Sequence, residues 1–193
     1  MKTITYLIFL SLLIISWPIR NANANEHVII VKGGDFNLED RTQTVDIFPS
    51  TVNAAFEEKN TLIGVEYDHV FSNNFSIGGG FETYSMDYTT GTGSGNADVS
   101  FLMFNGKYYF SKSSFKPFIG ASAGFAITDF SGDIIGNSAG LAIAITAGLR
   151  FQFSPVGIYV EYKNYLSANT EDEFDAEVNV AGDGVFAGLS FQF

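Results

Sequence analysis

Seven charged residues interrupt segments that are otherwise apolar or rich in small residues: Lys32, Glu66, Glu82, Lys107, Arg150, Glu161 and Lys163. Each falls on the glycine, serine and threonine side of an alternating stretch, opposite a row of bulky hydrocarbon side chains. Ionised groups in such surroundings are costly unless paired, so the pattern predicts a network of four bases and three acids. Asp68 shares the parity of Glu66 and lies nearer a turn. Counted from the turns, Glu66, Lys107, Arg150 and Glu161 sit at one level. A turn centred on residues 154–157 would set Arg150 directly across from Glu161 as a cross-strand pair. Two readings follow: a salt-bridged plug that fills an interior, or a polar path along which small solutes pass.

Other reactive groups are scarce. The chain has no cysteine and two histidines, His27 and His69, both beside short turns, so no serine–histidine–acid constellation can be assembled at the opposite end, near the long connections. A catalytic role is not expected, and neither is a bound cofactor or metal. Acids crowd two connections: Glu39, Asp40, Asp46, Glu57 and Glu58 in one, and Glu171, Asp172, Glu173, Asp175 and Glu177 in the other. Their spacing does not match a calcium loop, which leaves a solvated acidic exterior or divalent bridging to phosphates as the readings. "GTGSG", Gly91 to Gly95, follows no strand–helix unit and reads as a loop tip.

These residues need elements to position them. The first 24 residues read as a secretory signal: Lys2, an apolar run over Ile4 to Ile15, then Ala22-Asn23-Ala24 as a cleavage site. Residues 25–193 then form a single domain. Of the chain's 10 basic residues, Lys2 and Arg20 would be lost, leaving 8 against 21 acidic ones, a net charge of 8 − 21 = −13. Such a balance argues against nucleic acid as a partner. Beyond the signal the alternation has a period of two, and eight strands are expected at about 27–36, 61–70, 75–86, 98–110, 115–129, 140–153, 157–168 and 178–193. Short connections (72–74, 111–114, 154–156) alternate with long ones (37–60, 87–97, 130–139, 169–177).

That rhythm predicts an all-β fold, an eight-stranded antiparallel up-and-down transmembrane β-barrel. A barrel of this size has an interior that side chains fill. The small residues and the charges suit it, and Leu141, Ile143, Ile145, Leu149 and Phe151 must then face lipid. Aromatic residues at the short turns (Phe71, Phe75, Tyr108, Phe110, Phe115, Phe118, Phe151, Phe153, Tyr159, Phe191, Phe193) suggest one interfacial girdle. Tyr84, Tyr88, Phe101, Phe125, Phe130 and Tyr165 suggest a second. Val178 and Val180 are out of step with Val185 to Phe193, so a bulge is expected at Gly182–Gly184.

Two stretches carry a resemblance. The terminal "GLSFQF", with Gly188, Phe191 and Phe193, is similar to the signal read by the barrel-assembly machinery, although Phe186 departs from the polar residue usual there. "FKPFIGASAGF", Phe115 to Phe125, resembles a strand common among the small outer-membrane β-barrels of Gram-negative bacteria, of the OmpA transmembrane-domain, OmpX and OmpW types. The resemblance covers residues 25–193 as architecture. It implies residence in the bacterial outer membrane as a monomer, with outer-membrane lipids, lipopolysaccharide and the assembly machinery as partners. The activity it implies is a structural or surface-interaction role. The alternatives are a narrow channel for small hydrophobic or polar solutes and, less favoured, a lipid-modifying enzyme.

Overall fold

Outward bulky residues alternate with inward small, polar or aromatic ones along the membrane-facing part of the long strands, and the chain folds accordingly. The computed structural model describes residues 25–47, 50–57, 59–132, 136–171 and 177–193; the expected signal at 1–24 lies outside them. The strands are β1 (Glu26–Leu38), β2 (Thr42–Ile47), β3 (Ser50–Phe56), β4 (Lys59–Val70), β5 (Phe75–Thr89), β6 (Ser94–Tyr109), β7 (Phe115–Gly132), β8 (Gly136–Gln152), β9 (Val156–Glu171), β10 (Glu177–Asn179) and β11 (Gly182–Gln192). Eight of them close on themselves in the order β1-β4-β5-β6-β7-β8-β9-β11 and back to β1, antiparallel throughout. Closure gives ladder partners to backbone groups that would otherwise face hydrocarbon.

Sidedness follows the expected parity. Leu141 is 69% exposed, Phe104 63% and Phe151 39%, whereas Arg150 is fully buried. On β11 the outward row Val185, Ala187, Leu189, Phe191, Phe193 covers eight residue steps, about 26 Å along the strand. A tilt of about 40° reduces that to about 20 Å of membrane depth, close to the apolar band of known barrels. Above it the outward positions turn polar and acidic: Asp35 on β1, Asp98 on β6, Asp129 on β7 and Asp183 on β11.

Several expectations are corrected. The long connections are shorter than the sequence suggests, because the strands run on past the apolar band. β5 and β6 continue to Thr89 and Ser94, so that the expected loop 87–97 shrinks to Thr90–Gly93. The first long connection holds a hairpin, β2–β3. It joins β5 at Ala55–Thr89 and Phe56–Tyr88. On its other side Gln43 Nε2 donates to the Asn179 carbonyl and the Asn179 N–H donates to Gln43 Oε1, both at 2.7 Å. The expected bulge lies one strand away. Ala142 pairs with Ala168 but Ala144 with Tyr165, which leaves an extra residue in β9 around Leu166 and Ser167. Val178 and Val180 are simply inward residues, buried like Phe186.

The second aromatic girdle is also corrected. Tyr84, Tyr88, Phe101, Phe130 and Tyr165 face inward and are buried; of that set only Phe125 points out. With Phe36, Leu62, Met86, Met103 and Phe186 they form an apolar core in the half of the barrel nearer the long connections. From the short-turn girdle Phe118 and Tyr159 likewise turn inward, joining Val28, Ile30, Val70 and Tyr109 at the other end. Rings can occupy the lumen because the facing positions are small: Gly148, whose Cβ would meet Phe118, and Gly184, whose Cβ would meet Phe186.

Candidate functional site

Between the two apolar zones lies a layer of charge. Lys32 comes from β1, Glu66 and Asp68 from β4, Glu82 from β5, Lys107 from β6, and Glu161 and Lys163 from β9. All are buried. Glycines on neighbouring inward positions (Gly64, Gly80, Gly120) give the long side chains their space. Lys32 Nζ stands among three carboxylates: 2.7 Å from Glu82, 3.2 Å from Glu66, and in a short contact with Glu161. Lys107 meets Glu66 in a short contact, Asp68 at 3.1 Å, and donates to Tyr159 Oη at 3.2 Å. Lys163 reaches both oxygens of Glu82 at 2.9 Å.

Hydroxyls complete the network. Tyr159 and Thr146 each donate to Glu161 at 2.8 Å. Tyr165 donates to Glu82 in a short contact, and Tyr109 donates to Asp68 at 3.2 Å. Each carboxylate thus has at least two donors, the condition for holding buried charge.

Arg150 is not part of this layer. The turn places it opposite Tyr159, with Glu161 opposite Gly148, so the expected Arg150–Glu161 pair does not form. A hairpin that pairs Gln152 with Gly157 shifts every partner by two from the expected register. Arg150 instead lies nearer the short-turn rim, where Nη2 donates to Glu26 at 2.6 Å and the guanidinium stacks 5.0 Å over Tyr109. Lys116 meets both oxygens of the same Glu26, at 2.6 and 2.7 Å. Glu26 and Lys116 were not anticipated. Their signal was available: Lys116 shares its parity with Phe118 and Gly120, and Glu26 with Val28.

Among the described residues the lumen therefore holds five acids (Glu26, Glu66, Asp68, Glu82, Glu161) and five bases (Lys32, Lys107, Lys116, Arg150, Lys163). Glu66, Glu82 and Glu161 bring their oxygens within 4.8 Å of one another, as a metal site would. The Lys32 ammonium already occupies that position, so the arrangement is its own cation complex.

The remaining sequence candidates lie elsewhere. Phe191 and Phe193 face outward at the short-turn rim. Gly188 faces inward, where a Cβ would stand 2.0 Å from the Val31 carbonyl oxygen; β11 and β1 approach too closely there for any side chain. Of the connection acids, Glu39, Asp40 and Glu57 are exposed, Glu58 and Asp172–Asp175 lie outside the described residues, and the side chains of Asp46, Glu171 and Glu177 lie outside the described set as well.

A closed antiparallel barrel of eight strands, hydrocarbon outside and ion pairs inside, is the architecture of a small membrane-spanning β-barrel of the outer-membrane type. Solved structures share it. The outer membrane protein OprG from Pseudomonas aeruginosa superposes with a TM-score of 0.65 at 12% identity, covering 89% of this chain and 97% of that one. Neisserial surface protein A (NspA) gives 0.61 at 13%, covering 89% and 100%. Ail, the attachment invasion locus protein of Yersinia pestis, in complex with the heparin analogue sucrose octasulfate, gives 0.50 at 13%, covering 89% and 99%. No protein-family model matches the chain, and no curated protein does.

Proposed function

We propose that the chain is an integral protein of a bacterial outer membrane whose lumen is closed to ions and which serves a structural or surface-interaction role without catalysis. One observation carries this reading: seven inward charges, four acids and three bases, form a paired layer between two apolar zones, and the other three, Glu26, Lys116 and Arg150, pair with one another at the short-turn rim. An ion entering the layer would have to break contacts worth several kcal/mol and then cross the rings of Phe36, Phe101, Tyr165 and Phe186, a zone that is apolar apart from tyrosine hydroxyls. The exposed end offers acids, Glu39, Asp40, Glu57, Asp87, Asp98 and Asp129 among them. That end suits partners bearing cations, including lipopolysaccharide bridged by divalent ions. Residues 1–24 act as an export signal that is removed, and Gly188, Phe191 and Phe193 present the terminal strand to the assembly machinery. The protein acts as a monomer.

Absence of catalysis is supported by the position of both histidines, paired with each other at the short-turn rim on the outward face, away from the lumen that the charged layer fills. The test is conductance. Purified protein reconstituted into a planar bilayer is expected to give no discrete current steps in molar salt. Reproducible steps would establish the narrow channel and overturn the closed lumen.

A further inference from the structure

The chain has two histidines, and the fold sets them side by side. His27 on β1 and His69 on β4 are register partners, both on the outward face. Their rings lie 4.7 Å apart, tilted by 54°, and their Nδ1 atoms are 3.5 Å apart. Tyr67, two residues along β4 on the same face, brings its Oη to 2.7 Å from His27 Nδ1. Phe193 stacks on His27 at 5.7 Å, and Phe71 meets His69 edge-on at 4.6 Å. The lumen network uses none of these groups.

The two Nδ1 atoms point at each other across 3.5 Å on the outward face, and a cation that favours imidazole nitrogen suits that spacing. Two nitrogens of a tetrahedral ion bound at about 2.0–2.1 Å stand about 3.4 Å apart. The phenol oxygen, 2.7 Å from His27 Nδ1, is closer than two ligand atoms of one tetrahedral ion stand and joins the shell after a shift of about 0.6 Å. Two imidazoles and a phenol suit Zn²⁺, Cu²⁺ or Ni²⁺, and not the all-oxygen preference of Ca²⁺ and Mg²⁺. All three side chains are half-exposed, which leaves an entry path and room for water to complete the shell.

We propose that His27 and His69, with Tyr67, form a binding site for a divalent transition-metal ion at the short-turn rim. The ion joins β1 to β4. It does so beside the barrel's closure, because the His27 backbone is bonded on its other side to Phe193. The site clips β1 to β4 next to the β1–β11 seam, and it does not depend on whether the lumen is closed.

The test uses detergent-extracted protein carrying no histidine tag. Titration with Zn²⁺ alone is expected to show one ion per chain. His27→Ala and His69→Ala are each expected to weaken binding at least tenfold, and Tyr67→Phe several-fold. Cu²⁺ bound to the unaltered protein is expected to give an electron paramagnetic resonance spectrum with coupling to two imidazole nitrogens. Heat-modifiable migration on gels verifies that each variant is folded, with His27→Gln and His69→Gln replacing any alanine variant that is not. Unchanged Zn²⁺ binding in the double variant, or no stoichiometric binding by the unaltered protein, overturns the site. So does copper binding that survives His69→Ala. A chain beginning Asn25-Glu26-His27 can hold Cu²⁺ through its amino terminus and His27 alone, and that result would assign the copper there.

Discussion

Replacing Lys32 with methionine removes the one cation that three carboxylates share. Methionine keeps the length and much of the volume of the lysine stem, so packing against Tyr159 and Phe186, which the ammonium overhangs at 5.9 and 6.0 Å, is largely retained. What changes is electrostatic. Glu66, Glu82 and Glu161 are left with oxygens within 4.8 Å of one another and with the lumen at five acids against four bases. Glu82 keeps Lys163 and Glu66 keeps Lys107, but Glu161 retains only the hydroxyls of Thr146 and Tyr159. Removing one partner of a buried ion pair costs about 3–5 kcal/mol, which is about two to four orders of magnitude in the unfolding equilibrium. Reversible urea unfolding in lipid vesicles, followed by tryptophan-independent gel mobility, reads this directly. Adding Glu161→Gln to Lys32→Met should return a large part of the loss, because the stranded charge is gone. A Lys32→Met variant within about 1 kcal/mol of the parent, or a double variant that loses the simple sum of its parts, would refute the idea that the three acids are held together by this ammonium.

Other outcomes follow from the same geometry. Ile145→Arg, at the middle of the outward row of β8, should cost about 2–4 kcal/mol on the lipid face, measured by the same unfolding assay. Gly188→Ala should destabilise the β1–β11 seam by about 1–3 kcal/mol through overpacking, since its new methyl would press on the Val31 carbonyl and Lys32 Cα; a neutral result would point to a seam that opens freely. Glu26→Gln weakens the anchor shared by Arg150 and Lys116. Glu26 is half-buried, so the expected loss in that assay is smaller than for Lys32, about 1–2 kcal/mol.

Much of the fold was legible because lipid imposes a one-sided code. Along the membrane-facing rows of β7 and β8 every second residue is hydrocarbon, and a row such as Leu141, Ile143, Ile145, Ala147 and Leu149 has no other comfortable solvent. The inward identity of Lys32, Glu66, Glu82, Lys107, Arg150, Glu161 and Lys163 followed from that parity alone. Their partners did not. Lys32 meets Glu161 across the lumen, between strands that are not neighbours, and such pairs depend on strand tilt and stagger, which no local pattern records. Arg150 shows the same limit within one hairpin, where the turn geometry shifted its partner from Glu161 to Tyr159. The aromatic core was misplaced for a different reason. Tyr84 and Tyr88 share the parity of Glu82, and Phe101 that of Lys107, so the signal was present, but their nearness to strand ends looked like an interface. The strands in fact continue beyond the membrane, and there the barrel needs an apolar core as any soluble β-structure does.

The measurement that bears most directly on the account is a sidedness scan along β8. The chain has no cysteine, so single cysteines at positions 141 to 147 can carry a nitroxide without further engineering. In lipid vesicles, collision with oxygen, which concentrates in the bilayer, should be high at Leu141, Ile143, Ile145 and Ala147 and low at Ala142, Ala144 and Thr146. A flat profile, or one in which the odd positions are the shielded ones, would contradict a barrel that turns its hydrocarbon outward and its ion pairs in.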